Sequence, residues 1–278
     1  MTIDYSTPGV LTTFDRSQAP VVRELDPDPV RLCRAAQGLV IPADLARGAG
    51  VAAERDAERN IRPVNDILTG ILELNDAPLD TPRTLPERIV GTCRHFSVLS
   101  VALLRAHRYP ARSRCGFASY FKPGKHLDHW VTEYHDGNRW IRIDSEILGF
   151  PFVDDPADLG QGLFLSGGEA WTACRSGQND PSSFGVDGVD HAWGIGEVRG
   201  NNIRDLAALN KIEMLPWDEW GRMDASYKGE TGPDFDLLMD PVAEATNSDD
   251  ATRFVSVYAT EDLAVPPTLL DRAGTACH

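Results

Sequence analysis

Residues 91 to 112, GTCRHFSVLSVALLRAHRYPAR, constrain the fold more strongly than any other stretch of the chain. Phe96 to Leu104 is apolar at every position except two serines, and a helix that is apolar on most sides has to be buried. Pro110 ends the pattern, because proline cannot continue the hydrogen-bonded ladder of a helix. The sequence therefore predicts a buried central helix with Cys93 at its amino end.

Three strand patterns follow this helix, at residues 111–120, 129–135 and 139–144. The last two are separated by Asp136, Gly137 and Asn138, a combination typical of a hairpin turn. A helix followed by antiparallel strands predicts the α+β class, with the helix packed on an antiparallel sheet.

Charge and hydropathy exclude several classes of partner. The chain has 27 Lys and Arg against 42 Asp and Glu, a formal net charge of -15, which should repel nucleic acid and anionic lipid. No apolar run reaches about 18 residues, and the first residues lack a basic and apolar signal pattern. The expected location is the cytoplasm, with no nucleic-acid or membrane partner.

Five widely spaced cysteines favour free thiols over disulfides or a zinc site, because none is paired in a CxxC motif. They are Cys33, Cys93, Cys115, Cys174 and Cys277. Four are expected to be structural. Cys93 differs, because the positive end of a helix dipole should lower the pKa of its thiol.

A nucleophilic thiol needs a base, and the base needs an orienting group. His129 starts one predicted strand of the hairpin and Asp144 ends the other, so an antiparallel pairing would bring the two side chains together. The register is not fixed by the sequence, so a shared face of the sheet stays a prediction.

The same residues carry a resemblance to a family. Residues 91–112 resemble the G-x-C-R-D-[FY]-A…A-L-x-R-A-x-G-I-P-A-R pattern of the bacterial transglutaminase-like superfamily, and DHWVTEYHDGNRWIRID resembles its later His and Asp block. In chain order the matching residues are Gly91, Cys93, Arg94, Phe96, Leu104, Arg105, Pro110, Ala111, Arg112, Gly116, His129, Glu133, Trp140 and Asp144.

The resemblance implies a fold related to papain-like cysteine proteases and a catalytic triad of Cys93, His129 and Asp144. It implies cofactor-free acyl transfer through a Cys93 thioester, with an amide-bearing small molecule, peptide or protein as substrate and either water or an amine as acceptor. The expected organisation is an N-terminal arm with helices over residues 1–60, a catalytic core over 61–150, and a mainly helical extension over 151–278 that covers or flanks the cleft.

Four further residues are candidates for the substrate pocket: Arg94, Trp130, His191 and Trp193. Strand alternation puts Trp130 on the face opposite His129, which departs from the family's usual His-Ala-Trp order. His95 is another departure, since it stands where the family commonly has Asp.

Three alternatives stay open from the residues. His191, in a family-like HAW motif with Asp205 fourteen positions later, is a rival base. His126 and His129 could bind a metal in a hydrolase, although a third ligand is missing. The chain could also be a catalytically silent binding module of the same fold.

Overall fold

The computed structural model describes residues 3–273, so Cys277 lies outside the described residues. The helices are α1 (Ala19–Arg23), α2 (Pro29–Leu39), α3 (Ala43–Ala46), α4 (Val64–Leu74), α5 (Cys93–Ala106), α6 (Gly167–Arg175), α7 (Ile195–Leu209), α8 (Met223–Tyr227), α9 (Pro233–Thr246), α10 (Ala251–Tyr258) and α11 (Pro267–Ala273). The strands are β1 (Val40–Pro42), β2 (Ile89–Gly91), β3 (Ala111–Ala118), β4 (His126–His135), β5 (Trp140–Ile143), β6 (Phe164–Ser166) and β7 (Phe184–Gly185). Short 3-10 helices cover Ala53–Asn60, Leu85–Glu87 and Pro181–Ser183.

The main sheet has the order β5-β4-β3-β6 with antiparallel neighbours, and β7 pairs with β4 in parallel. The α+β class predicted from the sequence is confirmed. One detail differs, because β4 begins at His126 and places His129 inside the strand, opposite Gly116 of β3. A Cβ atom at Gly116 would lie 2.1 Å from the carbonyl oxygen of Leu165, so β6 can approach β3 only at a glycine.

Helix α5 is the buried centre of the fold, as its apolar pattern predicts. It packs against β3 and β4 on one side and against α2 on another. The core around it draws buried side chains from α2, α4 and the hairpin, including Leu32, Ile67 and Ile143. Cys93 therefore starts a helix whose position is fixed on several sides.

A second apolar core surrounds α7, which packs against β3, α6 and α9. Leu11 from the N-terminal arm belongs to this core, and the Tyr5 hydroxyl donates to the carbonyl oxygen of Leu209 at 2.6 Å. The arm thus lies against the C-terminal helices. None of the helices within residues 3–273 is long and apolar enough to cross a membrane.

A buried cluster of charged side chains links β3, β4 and β5. Glu133 on β4 accepts from Arg112 at 2.7 Å and from Arg114 at 3.2 Å, and Arg142 on β5 lies 2.9 Å away. Burial alone would raise the pKa of Glu133, but the three guanidinium charges outweigh it and hold that pKa well below its usual value. The carboxylate is therefore charged and tied to two neighbouring strands.

Candidate active site

The short parallel pair of β1 and β2 leads directly into the nucleophile helix. β2 ends at Gly91, Thr92 is the N-cap of α5, and Cys93 is the first helical residue. The Cys93 side chain is partly accessible to solvent. N–H groups in the first turn of a helix have no acceptor one turn earlier in the helix, so the backbone N–H of Cys93 depends on a partner from outside α5.

His95 completes the helix cap. The Thr92 N–H group donates to Nδ1 of His95 at 3.1 Å, and Nε2 lies 3.1 Å from the carbonyl oxygen of Ile61. Burial, with the nearby charge of Arg94, lowers the pKa of His95 to about 3, so the ring is neutral and carries its proton on Nε2. The neutral imidazole of His95 thus accepts the hydrogen bond at the start of α5.

The structure brings His129 and Asp144 together on the hairpin. Nε2 of His129 lies 2.8 Å from Oδ2 of Asp144, and both side chains are buried. The Tyr120 hydroxyl donates to the same Oδ2 atom at 2.5 Å, and the Glu146 N–H group donates to Oδ1 at 3.0 Å. Three donors therefore fix this carboxylate, and Tyr120 shares one oxygen with the imidazole.

His129 also lies close enough to Cys93 for each side chain to shift the pKa of the other, and Nδ1 is the ring atom that Asp144 leaves available to the thiol. Burial alone would lower the pKa of His129, but the charge and hydrogen bond of Asp144 and the contact with Cys93 raise it well above its usual value. His129 is accordingly a strong base oriented between a thiol and a carboxylate.

The electrostatics of Cys93 differ from the sequence prediction, which expected a lowered pKa. Burial raises the pKa of the Cys93 thiol to about 11, although the hydrogen bond and charge of His129 act in the lowering direction. Desolvation destabilises the Cys93 thiolate, and this effect is larger than the stabilisation expected from the amino end of α5. In this structure the nucleophile therefore depends on proton transfer to His129.

Two aromatic rings lie next to the imidazole of His129. The ring of Phe121 lies 5.0 Å from that of His129 in an edge-on arrangement, and Tyr120 lies 6.1 Å away. Phe152 contacts Phe121 at 5.3 Å, and Phe150 lies 6.5 Å from Phe152. Phe150 is 56% exposed and Phe152 is 48% exposed, so an apolar strip runs outward from the base.

Glu146 adds an unpaired carboxylate beside these residues. Its Oε2 atom is buried and has no hydrogen-bond partner within residues 3–273. Burial raises the pKa of Glu146 to about 7, with Asp144 and Asp44 acting in the same direction and the charge of His129 opposing them. The charge of Glu146 in turn contributes to the raised pKa of Cys93.

Two of the predicted pocket residues point into the protein instead. Arg94 is fully buried, and its Nε atom donates to the carbonyl oxygen of Glu213 at 2.9 Å. Trp130 is 1% exposed and packs with Cys115 behind Cys93. Neither side chain reaches solvent in this structure, where Arg94 anchors α5 and Trp130 packs beneath the nucleophile.

The other two predicted pocket residues lie in the loop before α7. His191 is exposed. Asp205, its partner in the alternative prediction, is buried within α7 and accepts a hydrogen bond at its Oδ2 atom from Arg114 at 2.8 Å. The ring of Trp193 lies 5.0 Å from Nζ of Lys125 and lines a surface cavity of about 350 Å³. The imidazole that contacts Asp144 is therefore that of His129.

The metal alternative finds no ligand cluster in the described part of the chain, where no three His, Cys, Asp or Glu side chains are arranged around a common point. His126 instead stacks on Phe184 with ring centres 4.3 Å apart.

A cysteine-bearing helix packed on an antiparallel sheet, with a His–Asp pair on the adjacent hairpin, defines a papain-like arrangement of the α+β class. Residues 60–145 match the family model of the transglutaminase-like superfamily, which covers the helix and hairpin that carry all three residues. The match covers about a third of the chain and includes the proposed nucleophile, base and orienting group. The family match supports a cysteine-dependent enzyme in general terms.

Comparisons beyond the family are sparse. No curated protein matches the chain significantly in sequence. A solved structure, that of a "Putative Cysteine Protease from Cytophaga hutchinsonii", aligns with 21% identity over 50% of this chain and 45% of that one, with a TM-score of 0.20. The chain thus spans less than half the length of that protein, and a TM-score this low establishes no shared fold.

Sequence reasoning missed Tyr120 and Glu146. Glu146 had a local signal, because it stands two residues after Asp144, where its N–H group can reach the carboxylate. Tyr120 had none, since its contact with Asp144 arises only when the segment after β3 folds over the hairpin.

Proposed function

We propose that this chain is a cysteine-dependent acyl-transfer enzyme that cleaves or forms an amide bond through a thioester on Cys93. The observation that carries the proposal is the position of His129, whose Nε2 atom lies 2.8 Å from Asp144 and whose imidazole acts on the pKa of the neighbouring Cys93 thiol. A nucleophile, a base and an orienting group in this order are what acyl transfer requires.

In the first step of the proposed mechanism, Nδ1 of His129 accepts the thiol proton and the Cys93 sulfur attacks the carbonyl carbon of a carboxamide. The resulting tetrahedral intermediate collapses, the C–N bond breaks, and the amine leaves with the proton that His129 had taken. Asp144 stabilises the imidazolium that exists between these two events. The acyl group is then held on sulfur as a thioester.

In the second step His129 accepts a proton from water or from an amine, which attacks the thioester carbon and breaks the C–S bond. The sulfur recovers a proton from His129, and the product is an acid or a new amide. The proposed substrate is an amide-bearing small molecule, peptide or protein. The backbone N–H of Cys93, at the unpaired start of α5, is the proposed donor to the oxyanion.

Intact mass spectrometry of the protein with a panel of glutamine peptides and activated esters tests this proposal. A mass increase equal to the acyl group is expected on wild-type protein and on the Cys174→Ala control, and is expected to be absent from Cys93→Ala. Acylation that survives in Cys93→Ala would contradict a Cys93 thioester. Addition of hydroxylamine or an alkylamine to the trapped species then reports whether an amine competes with water.

A further inference from the structure

A cavity of about 590 Å³ lies beside the loop that follows Asp144. Helix α2 forms one wall, the segment around residues 79–88 forms another, and residues 148–150 close the side nearest the active site. Gln37, which also lines it, donates to the carbonyl oxygens of Glu146 at 2.9 Å and Leu148 at 2.8 Å. The cavity is therefore built on the same loop that positions the proposed triad carboxylate.

Four arginines line this cavity, and three of them contact no carboxylate within ion-pairing distance among residues 3–273. Arg34 is exposed and makes a long hydrogen bond of 3.4 Å to the carbonyl oxygen of Leu148. Arg88 donates to the carbonyl oxygen of Arg83 at 3.0 Å. Arg31 differs, because it is paired with Asp26 at 2.6 Å.

Arg83 is buried under the cavity. Its terminal nitrogens donate to backbone carbonyl oxygens, among them that of Ala77 at 2.7 Å, whereas its Nε atom is buried and has no partner. Carbonyl groups satisfy hydrogen bonds but do not neutralise a guanidinium charge. The positive charge of Arg83 thus adds to that of Arg88 beside it.

This concentration of unpaired positive charge is unusual for the chain. The net charge is -15, and the buried arginines of the sheet and of α7, such as Arg114 and Arg204, each contact a carboxylate. The carboxylates that line the cavity are Asp26, already paired with Arg31, and Asp80, exposed at its edge. The lining therefore carries two more positive than negative charges, and the carboxylates that act on Arg83 are those of Asp80 and the nearby Glu87, neither of which is within ion-pairing distance of it.

The cavity is also connected to the proposed nucleophile. Phe150 lines it, and the ring of Phe150 lies 6.5 Å from that of Phe152, which in turn contacts Phe121 beside His129. Exposed aromatic rings between a cationic cavity and a catalytic base offer a surface for the apolar part of an extended ligand.

We propose that this cavity binds an oxyanion group, a carboxylate or a phosphate, through Arg34 and Arg88. Guanidinium groups suit such anions because their planar N–H donors match two oxygens at once. We further infer that the anion is part of the acyl substrate and that the rest of the substrate lies along Phe150 and Phe152; this step rests on the proposed function. The binding of an anion in the cavity does not depend on the proposed function.

Calorimetric titration of the full chain with inorganic phosphate and with succinate tests the site. Binding of at least one anion is expected, and the Arg34→Gln/Arg88→Gln variant should bind it about tenfold more weakly or not at all, since two charge-assisted hydrogen-bonding groups are lost. The Arg16→Gln variant, which removes one exposed charge outside the cavity, should bind like wild type. Preference for phosphate or for succinate identifies the class of anion.

Two outcomes overturn the proposal: neither anion binds the wild-type chain, or the double variant binds as tightly as wild type. If the change at Arg88 disturbs folding, the Arg34→Gln single variant replaces the double variant, because Arg34 is exposed and its substitution should leave the fold intact. Anion binding does not need the Cys93 thiol, so Cys93→Ala protein should bind the anion like wild type. A wild-type chain that binds the anion but forms no acyl-enzyme with the amide and ester panel would overturn the proposed function and leave the anion site standing.

Discussion

Replacing Glu146 with glutamine should stabilise the protein at alkaline pH and leave its stability nearly unchanged in acid. The folded chain holds the pKa of Glu146 at about 7 against a reference value of 4.5, chiefly through burial. The protonated Glu146 carboxyl therefore makes its full contribution to the free energy of unfolding below about pH 4.5, and this contribution is lost as the pH rises through about 7. Glutamine resembles the protonated form in shape and never ionises.

The magnitude follows from the difference between the two pKa values. At about 1.4 kcal/mol per pKa unit, the full difference corresponds to about 3–4 kcal/mol. The side chain as a whole is only partly shielded from solvent, so the expected gain at about pH 8 is nearer to about 2 kcal/mol.

Urea denaturation at about pH 4.5 and about pH 8 measures this gain as a difference in the free energy of unfolding. Glu261→Gln, which makes the same chemical change at an exposed position, is the matched control and should show no pH-dependent difference. A Glu146→Gln variant that is no more stable than wild type at the higher pH would show that the carboxylate has a partner and refute the reasoning.

Three further changes have defined outcomes. Tyr120→Phe removes one of the donors to Asp144, so the pKa of His129 should rise and the acidic limb of the kcat/KM profile should move up by about half a pH unit; an unmoved limb would count against the shared oxygen. Glu133→Gln removes the buried carboxylate that three guanidinium groups share and leaves each of them only its second carboxylate partner, so it should lower the free energy of unfolding in urea by about 3 kcal/mol. Gly116→Ala places a Cβ 2.1 Å from a backbone oxygen and should cost about 3 kcal/mol in thermal unfolding, whereas an unchanged midpoint would mean that β6 is free to move.

The parts of the fold that the sequence predicts are those with a long, regular pattern. Helix α5 is apolar over nearly three turns, and the hairpin of β4 and β5 combines strand residues with a turn signal. The strands β1, β2, β6 and β7 have two or three residues each, which is too short for any periodicity to show. They form only because longer elements offer them partners.

The site divides in the same way. Cys93, His129 and Asp144 could be found because their order along the chain resembles a family. The direction of the Cys93 pKa shift could not, since desolvation depends on what packs around the thiol. The burial of Arg94 and Trp130 could not be predicted either, because it is decided when the helix and the strand pack against the rest of the protein.

The central claim, that His129 activates Cys93, is tested most directly by alkylation rates measured with chloroacetamide and peptide mass spectrometry. Cys174 is an internal reference, because burial raises its pKa to about 11, like that of Cys93, and the described structure places no imidazole on it. Near neutral pH, Cys93 should react about tenfold or more faster in wild-type protein than in His129→Ala, with Cys174 unchanged. Equal rates for Cys93 in the two proteins would contradict the account.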